Sequence, residues 1–431
     1  MESAEQFELV IIGGGIGGVL SLYYAKKAGL KTVLLEKQST VGGLWAQLPA
    51  WQDIQNNPID WTLGDIPIAG ADQASILGNI QAWVDQFDLH ASIVLNTPAS
   101  QVQEKGAGWM VPTPTKTYLA KNLIAATGAH NLAYTPPVKR VVVSLHEYHS
   151  SMLRDSSMLT GKSVVIVGSG ASAYDLLELC LEHAAQRIIW VYRSHKWMTP
   201  TRKPKHLASD IRGLAKQQMQ GASTQALSQA INADLRGRYA KFGLNDILPE
   251  RDFDFSRDQL IPGRHRMIEH FQQLERYRAE VAGIVGRSVE LSTGEKLDAD
   301  IVLWGTGYTL DLSYFATPKL SGVTQSNALA QRCGNAYRSL DAERLFFLAP
   351  NTLEGTGVTP WAYAHAARTI VAHIQGKAHL GLQAMSQKIN HFDQIKFLAS
   401  RDPASFPSET WFAHYKSLAM DHPEDQPLPI P

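Results

Sequence analysis

Short apolar runs that end in glycine-rich turns alternate along this chain with longer amphipathic stretches. The first run, residues 7–12, is rich in branched side chains and predicts a fully buried strand. Apolar positions over 16–28 then recur at helical spacing, and a second apolar run, residues 32–35, follows. Strand, turn, helix and strand in this order predict an α/β fold built on a parallel sheet.

The turn between the first strand and the first helix carries Gly13-x-Gly15-x-x-Gly18. In such a turn the first glycine allows a tight bend, the second lets a pyrophosphate approach the backbone, and the third lets helix and strand pack closely. The helix N-terminus offers free N–H groups to the phosphates. Glu36 lies 21 residues after Gly15, where a carboxylate accepts a hydrogen bond from a ribose hydroxyl. The whole unit predicts a dinucleotide site.

The same unit recurs from residue 162. Gly168-x-Gly170-x-x-Ala173 follows another apolar run, but the strand after its helix ends at Arg193-Ser194 and not at an acid. Arg193 lies 23 residues after Gly170 and so takes the place of Glu36. A carboxylate there selects a plain ribose, whereas an arginine accommodates a 2′-phosphate. The pair therefore predicts FAD at the first site and NADPH at the second. The basic residues that follow either add phosphate contacts or lie on a solvated loop: Lys196, Arg202, Lys203 and Lys205.

Two loops after the first unit carry candidate cofactor contacts. In Gly42-Gly43-Leu44-Trp45 the glycines let the backbone pass close to a bound group, and Trp45 either lies against a flat ring or packs as an ordinary side chain. Residues 51–61 set polar groups, including Asp53 and Asn57, among tryptophans. This stretch either places hydrogen-bond donors beside a cofactor ring or forms ordinary turns.

Small residues end two further predicted strands, at Ala126-Thr127-Gly128 and at Gly305-Thr306-Gly307-Tyr308. The first strand end suits another close approach to the dinucleotide. The second echoes it, which predicts that the chain returns there to the first domain and that the second domain is an insertion. The predicted division has an FAD-binding domain over 1–155 and 296–431, and an NADPH-binding domain over 156–295 with a helical insertion at about 201–265.

Periodicity predicts the remaining elements. They are a helix over 73–86, short strands of a meander over 92–95, 109–111 and 117–119, a helix over 267–281, and a hairpin over 288–297. A last predicted helix, 361–376, begins after small residues and Thr359-Pro360. Its start either directs a dipole at a flavin pyrimidine or is a plain helix start.

Composition excludes several classes of protein. Lys plus Arg and Asp plus Glu are both 40, so no global charge favours nucleic acid or an acidic membrane as a partner. The two cysteines, Cys180 and Cys333, lie far apart, which excludes a disulfide framework, a Cys-x-x-Cys pair and a thiolate zinc cluster, and no metal is predicted. No apolar stretch approaches the ~20 residues that span a bilayer. We expect a cytoplasmic protein that acts on a small molecule, and we leave a homodimer open.

In their order along the chain, these motifs resemble the class B flavoprotein monooxygenases, the group of flavin-containing monooxygenases, Baeyer–Villiger enzymes and N-hydroxylases. The resemblance covers about residues 7 to 376 and implies two doubly wound α/β domains, with the NADPH domain inserted into the FAD domain. It implies that NADPH reduces FAD and that a C4a-(hydro)peroxyflavin passes one oxygen of O2 to an amine, a sulfur or a ketone. The cofactor-binding residues predicted from motifs and resemblance are Gly13, Gly15, Gly18, Glu36, Lys37, Gly43, Leu44, Trp45, Thr127, Gly128, Gly168, Gly170, Ser172, Ala173, Arg193, Ser194, Thr306, Gly307 and Thr359.

The subclass stays open because the family signature, Phe-x-Gly-x-x-x-His, is incomplete. The one candidate stretch, residues 143–149, lacks the Phe and the Gly, so His149 is either the signature histidine or a loop histidine. Asn57 aligns with an asparagine near the flavin of flavin-containing monooxygenases and is the first candidate to hydrogen-bond the peroxide. Asp53 aligns with an acid of Baeyer–Villiger enzymes and is the second candidate.

Three other functions share parts of this pattern. A disulfide reductase has the same two-nucleotide architecture, but it requires a cysteine pair at the flavin, which this sequence lacks. An NADPH oxidase that releases hydrogen peroxide and a non-catalytic flavin and NADPH sensor stay as alternatives to the monooxygenase.

Overall fold

Two parallel β-sheets form the framework of the computed structural model. The structure describes residues 5–54, 62–63, 66–200, 223–254, 258, 260–334, 338–348 and 359–377. Within these ranges, no helix combines the length and the apolar character that a membrane crossing requires.

The first sheet takes strands from both ends of the described chain. Its order is β3-β2-β1-β6-β5-β4, and β20 pairs with β6 beyond the end of β5. The pairs of β1, β2, β3, β6 and β20 are parallel, whereas β4 and β5 form an antiparallel extension. The strands are β1 (Glu5–Ile12), β2 (Thr32–Leu35), β3 (Ile93–Val94), β4 (Gln103–Lys105), β5 (Gly108–Pro112), β6 (Thr117–Ala125) and β20 (Leu345–Phe347).

The second sheet repeats the arrangement of the first. Its order is β14-β11-β10-β18-β9, and every pair is parallel. The run β14-β11-β10-β18 corresponds strand for strand to β3-β2-β1-β6, so the repeat predicted from the glycine motifs extends to strand order. The strands are β9 (His146–His149), β10 (Ser163–Val167), β11 (Arg187–Tyr192), β14 (Glu275–Arg278) and β18 (Ile301–Trp304).

Three small sheets complete the β-structure of the described ranges. One has the order β17-β16-β15-β8, and the other two are the pairs β12–β13 and β19–β7. The pair β19–β7 joins the two segments in which the chain passes between the large sheets. The strands are β7 (Leu132–Ala133), β8 (Lys139–Val141), β12 (Met198–Thr199), β13 (Ile261–Pro262), β15 (Val281–Val285), β16 (Ser288–Leu291), β17 (Lys296–Asp298) and β19 (Tyr308–Thr309).

Helices cover the large sheets. In the first sheet's region α1 packs against α9 and β2, and in the second sheet's region α4 packs against α6 and β10. The helices are α1 (Ile16–Lys27), α2 (Leu44–Gln47), α3 (Gln73–Gln86), α4 (Ala171–Glu182), α5 (Thr224–Lys241), α6 (His265–Glu269), α7 (Pro318–Ser321), α8 (Ser326–Ala330) and α9 (Thr359–Ile374). The central strands are buried on both faces, as their unbroken apolar sequences predict: Leu9, Val10 and Ile11 of β1 have no exposed surface.

The first glycine of each motif packs against the end of a neighbouring strand. Gly13 and Gly168 have φ angles of +108° and +134°, which L side chains rarely adopt. A Cβ atom on Gly13 would lie 2.5 Å from the carbonyl oxygen of Ala126, and one on Gly168 would lie 2.3 Å from that of Gly305. Both turns therefore have the same backbone contact, one after β6 and the other after β18.

The two units distribute their small residues differently. In the first unit the helix carries Gly18, whose added Cβ would lie 1.8 Å from the Gly13 carbonyl oxygen, and the strand end carries Ala126. In the second unit the helix carries Ala173, and a Cβ on Gly305 would lie 2.7 Å from the Ala173 Cα. Close packing thus falls at different contacts: in the first unit Gly18 of the helix packs on the carbonyl of the turn residue Gly13, and in the second unit the strand end at Gly305 packs on the backbone of α4.

The predicted fold class, α/β with one dinucleotide-binding-type domain inserted into another, is confirmed, but several local predictions are wrong. The helix over 267–281 is short α6 followed by β14 and the start of β15, because β14 pairs with the edge of β11 and this pairing overrides a weak helical propensity. The predicted strand 92–95 lies in the parallel sheet as β3, and 117–119 is the first part of the long strand β6. The meander therefore consists of β4, β5 and β6.

The strands of each sheet do not follow the domain boundaries that the sequence predicts. The sequence places strands β8 and β9 in the FAD-binding domain over 1–155. In the structure β8 pairs with β15 and β9 pairs with β18. The sequence also places β17 and β18 in the FAD-binding domain, in the part that begins at residue 296. In the structure β17 pairs with β16 and β18 pairs with β10, because the strand before the small residues at 305–308 is the counterpart of β6 in the second sheet. Of the helical insertion at about 201–265, residues 201–222 lie outside the described ranges, and the described part holds α5, a short 3₁₀ turn (Asn245–Ile247) and β13.

We expect Gly305→Ala to destabilise the protein. The new methyl group would overlap the backbone of α4 at Ala173, and overpacking of this kind costs about 2 kcal/mol or more. Urea unfolding measures the change. The control is Gly78→Ala in α3: a Cβ there meets no atom within 4 Å, and alanine stabilises a helix interior by about 1 kcal/mol relative to glycine. Equal midpoints for Gly305→Ala and wild type would contradict the close packing of α4 on β18.

Candidate functional site: a cleft across both sheets

One cleft of about 1610 Å³ runs along the carboxyl ends of both sheets. Its walls include the glycine turns after β1 and β10 and the segments after β6 and β18. Ligands of open parallel sheets bind at this edge, outside the carboxyl ends of the strands. Most of the predicted cofactor residues line the cleft: Gly13, Gly15, Glu36, Lys37, Gly43, Leu44, Trp45, Thr127, Gly128, Gly168, Gly170, Ser172, Arg193, Ser194, Thr306 and Gly307.

Glu36 is built into the floor of the first half of the cleft. Its carboxylate accepts the backbone N–H of Gly14 at 2.5 Å and that of Gln38 at 2.7 Å, and the residue is only 4% exposed. Two N–H donors compensate the burial of the charge. A carboxylate oxygen has more than one lone pair, so these bonds leave acceptor capacity toward the cleft. Glu36 therefore holds the glycine turn in shape at the position predicted for ribose recognition.

The loop after β2 closes over the first glycine turn. A Cβ on Gly43 would lie 2.8 Å from the Cα of Gly15, so the two backbones are in direct contact. Trp45 is half-buried, and its backbone carbonyl accepts a hydrogen bond from the Gln73 side chain. It lines the cleft and also packs against the first core, so both of its predicted roles agree with its position.

The third residue of each motif does not line the cleft. Gly18 and Ala173 are buried, where they set the packing of α1 and α4 on the neighbouring strands. Their contribution to nucleotide binding is thus through the position of the helix and not through contact.

In the second half of the cleft, beside the glycine turn after β10, exposed charged side chains occupy the place that buried Glu36 has in the first half. Arg193 and Ser194 follow β11 and are exposed, and Lys196 lines the cleft beside them. The Arg193 guanidinium lies 3.3 Å from the carboxylate of Glu280, which also lines the cleft. The sequence predicted the arginine; Glu280 was missed because it lies 87 residues away along the chain.

His195 lies beside Arg193 and Lys196 and is neutral at ordinary pH. Burial, together with the smaller effect of the Arg278 charge, lowers its pKa to about 4. Its ring lies 4.4 Å from that of Tyr192, and its Nδ1 is buried with no hydrogen-bond partner among the described residues. The basic character of this end of the cleft therefore comes from Arg193 and Lys196.

His149 fixes the segment that leaves the second sheet. The backbone N–H of Ser151 donates to His149 Nδ1 at 3.2 Å, which places the ring proton on Nε2, and Nε2 donates to the Gly307 carbonyl at 2.9 Å. Burial lowers the pKa of His149, so the neutral form persists, and its ring packs edge-on against Tyr308. His149 thus holds Gly307 at the cleft wall from the end of β9, and its role as the signature histidine stays a prediction.

A corresponding contact supports the first sheet's strand end. The Thr127 hydroxyl lies 3.3 Å from the hydroxyl of Tyr314, a partly buried residue whose pKa is raised by desolvation. Neither Tyr314 nor the loop 97–101, which also lines the cleft, carries a sequence signal, because both reach the site only through tertiary packing.

The remaining predicted site residues are Asp53, Asn57 and Thr359. Asp53 lines the cleft, is half-buried and forms an isolated bridge with the backbone of Asp72. Asn57 lies outside the described residues. The last predicted helix, 361–376, is α9, which begins two residues earlier, at Thr359, and ends at Ile374; Tyr363 of that helix lines the cleft.

The cysteines do not meet. Cys180 and Cys333 are free and buried in different cores, and burial raises the pKa of Cys333 to about 12. Neither lines the cleft. In the part of the chain that the structure describes, no group of three or more His, Cys, Asp or Glu could hold a metal ion.

Over residues 10–236, more than half of the chain, the sequence matches the pyridine nucleotide-disulphide oxidoreductase family. The chain belongs to this family. Since its cysteines lie apart in separate cores, it has the architecture of the family without a dithiol at the cleft.

The chain also resembles individual known proteins, at identities below 25%. Flavin-containing monooxygenase 5 of Cavia porcellus is 22% identical over 346 residues, which cover 71% of this chain and 62% of that protein. The flavin-containing monooxygenase of Stenotrophomonas maltophilia superposes with a TM-score of 0.61 at 18% identity, over 86% of this chain and 99% of that chain. OTEMO, solved in complex with FAD and NADP, has a TM-score of 0.69 at 15% identity, over 87% and 85% of the two chains.

These similarities confirm the predicted resemblance to class B flavoprotein monooxygenases. The family confirms the prediction that the protein is an oxidoreductase. The cofactors in the OTEMO complex are the two predicted from the sequence. The match spans little more than half of some curated relatives, for example 55% of the uncharacterized oxidoreductase CzcO of Bacillus velezensis, which is 25% identical over 196 residues.

The half-buried His195 makes the stability of the protein depend on pH. Because the folded-state pKa of His195 is about 4 and its ordinary value is 6.5, the unfolded chain takes up a proton first as the pH falls, and stability is lost between those two values. We expect His195→Phe to lose less stability than wild type between about pH 7 and about pH 5, measured by urea unfolding. An equal loss in both proteins would contradict a half-buried, neutral His195.

Proposed function

We propose that this protein is an FAD- and NADPH-dependent monooxygenase that adds one oxygen atom of O2 to a small organic substrate. The observation that carries the proposal is the single cleft shared by two glycine turns of the same construction, with Glu36 at one and Arg193 at the other. A buried carboxylate suits a plain ribose and an exposed arginine suits a 2′-phosphate.

The first half of the cleft fits FAD. A side chain on Gly13 would overlap the Ala126 backbone and one on Gly43 would overlap Gly15, so the turn keeps a bare backbone that a pyrophosphate can approach at the N-terminus of α1. Glu36 supplies the acceptor for the ribose, and Trp45 with the segment Thr127-Gly128 walls the continuation of the cleft toward the second sheet. We propose that Lys37, Gly43 and Leu44 complete this half, together with the start of α9 at Thr359.

The second half fits NADPH. The turn at Gly168 and Gly170 has the construction of the first, and Ser172 lies in the first turn of α4, where a hydroxyl can join the backbone N–H groups. Arg193, Ser194 and Lys196 offer a guanidinium, a hydroxyl and an ammonium to a 2′-phosphate. We propose that the nicotinamide end contacts the segment Thr306-Gly307, which lines the cleft and is held by His149.

The domain division that the sheets favour differs in detail from the sequence-based one. We propose an FAD-binding domain built on the first sheet, with strands β1 to β6 and β20, and an NADPH-binding domain built on the second sheet and the sheet of β8 and β15 to β17. The chain passes between them at β7 and again at β19.

FAD, when bound, supplies the hydride acceptance and the oxygen activation that no side chain provides. The protein's residues bind and orient both cofactors, exclude water and hydrogen-bond the oxygen that is to be transferred. We propose Asn57 for this last task and Asp53, which lines the cleft, as the second candidate. The proposed substrate is an amine, a sulfur compound or a ketone.

The first experiment tests cofactor use and oxygen transfer together. Purified protein should carry a flavin, which NADPH bleaches without air, faster than NADH does. With air and a set of amines, thioethers and ketones, isotopically labelled O2 should place one labelled oxygen in a product. Bleaching followed by release of hydrogen peroxide alone would replace the monooxygenase by an NADPH oxidase, absence of bleaching would favour a sensor, and absence of flavin would refute the first dinucleotide site.

Asn57→Ala should uncouple NADPH oxidation from oxygenation. A hydrogen bond is worth about 1 kcal/mol, so its loss should raise peroxide release per product by roughly fivefold. Flavin content should stay unchanged, because the substitution leaves the dinucleotide turns intact. Asn245→Ala, at an exposed position in the 3₁₀ turn away from the cleft, is the matched control. Full coupling in Asn57→Ala would remove Asn57 from the proposal, and Asp53→Ala would then be the next variant.

A further inference from the structure

The topology of the second sheet brings an acid to the predicted 2′-phosphate site. Arg193 follows β11, and Glu280 comes two residues after the neighbouring parallel strand β14. The register pairs Tyr192 with Arg278, and the backbone N–H of Ala279 donates to the Tyr192 carbonyl at 3.0 Å. Both chain segments therefore leave the sheet at the same edge, side by side.

The backbones of both residues are held, whereas their side chains are open to the cleft. Glu280 donates its N–H to the Ser292 hydroxyl at 3.0 Å and accepts the Ser292 N–H at 2.8 Å. The Arg193 carbonyl accepts Nε of Arg278 at 3.3 Å. The Arg193 and Glu280 side chains, 77% and 62% exposed, meet at 3.3 Å between Nη1 and Oε1.

A carboxylate at this point opposes a phosphate in two ways. It occupies the guanidinium that the phosphate would bind, and its own charge repels the phosphate at short distance. Toward a ribose without the phosphate it does the reverse, since a carboxylate accepts a hydrogen bond from a ribose hydroxyl. The second half of the cleft thus holds one group suited to each form of the nucleotide.

We propose that Glu280 is a specificity-determining residue, which competes with the 2′-phosphate of the nucleotide for Arg193 and so reduces the preference for NADPH over NADH. The inference rests on the proposed function, because it takes the second half of the cleft as the nicotinamide-nucleotide site. Glu280 need not contact the reacting atoms, so its effect is expected in binding and not in the chemical step.

Calorimetric titration of the full-length, flavin-loaded protein with two adenosine probes tests the proposal without turnover. Adenosine 2′,5′-bisphosphate carries the 2′-phosphate, and adenosine 5′-monophosphate lacks it. We expect Glu280→Gln to bind the bisphosphate about fivefold more tightly at low salt, with unchanged or weaker binding of the monophosphate. The gain should shrink as salt screens the charges. The ratio of KM values for NADH and NADPH should rise in parallel.

Two further variants make the test specific. Glu290→Gln is the same change in a carboxylate that pairs with Lys296 at 2.9 Å away from the cleft, and it should leave both affinities as in wild type. In an Arg193→Gln background, Glu280→Gln should gain much less, since the guanidinium that Glu280 holds is absent. A gain of the same size there, or an unchanged ratio of the two affinities in Glu280→Gln alone, would overturn the inference.

The failure of the inference and that of the proposed function give different results. Wild-type protein that binds the bisphosphate, with Glu280→Gln behaving like Glu290→Gln, overturns only the role of Glu280. Wild-type protein that binds neither probe overturns the assignment of the second half of the cleft, and the inference with it.

Discussion

The contact between each first glycine and the end of a neighbouring strand determines the rest of the structure. Gly13 lies on the carbonyl of Ala126 and Gly168 on that of Gly305, both too close to admit a side chain. Each contact brings a phosphate-binding turn and a small-residue strand end to the same edge of its sheet. Since the two edges face one cleft, two local backbone contacts define both halves of the site. The charged groups differ between the two halves. The first half has the buried carboxylate of Glu36, held by backbone N–H groups, and the second half has the exposed side chains of Arg193 and Glu280.

Much of this framework follows from local sequence. The predicted bounds of β2 and α3 are those of the structure, because β2 is a short apolar run and α3 has clear helical periodicity. The two glycine motifs with Glu36 and Arg193 likewise predicted where the cleft would lie, because the turn, the helix start and the strand end are contiguous in sequence.

The errors have a common cause, which is pairing between distant segments. Residues 267–281 have a helical pattern, yet β14 forms because the edge of β11 needs hydrogen-bond partners. The strand before Gly305 resembles the one before Ala126 because it is its counterpart in the repeat, and not because the chain has returned to the same sheet. Glu280 and Tyr314 join the cleft through contacts across 87 and 187 residues, for which a single sequence gives no signal.

The ladder between β7 and β19 has a mechanical consequence. The two segments that connect the sheets are not independent linkers: Tyr308 pairs with Ala133, the N–H of Tyr134 donates to Gly307, and Asn131 exchanges hydrogen bonds with the backbone of Asp311. Two strands joined in this way share any bend, so a change in the angle between the large sheets would act on both connections together. Such a change would alter the distance between the two nucleotide turns while leaving each turn, and its glycine contact, intact.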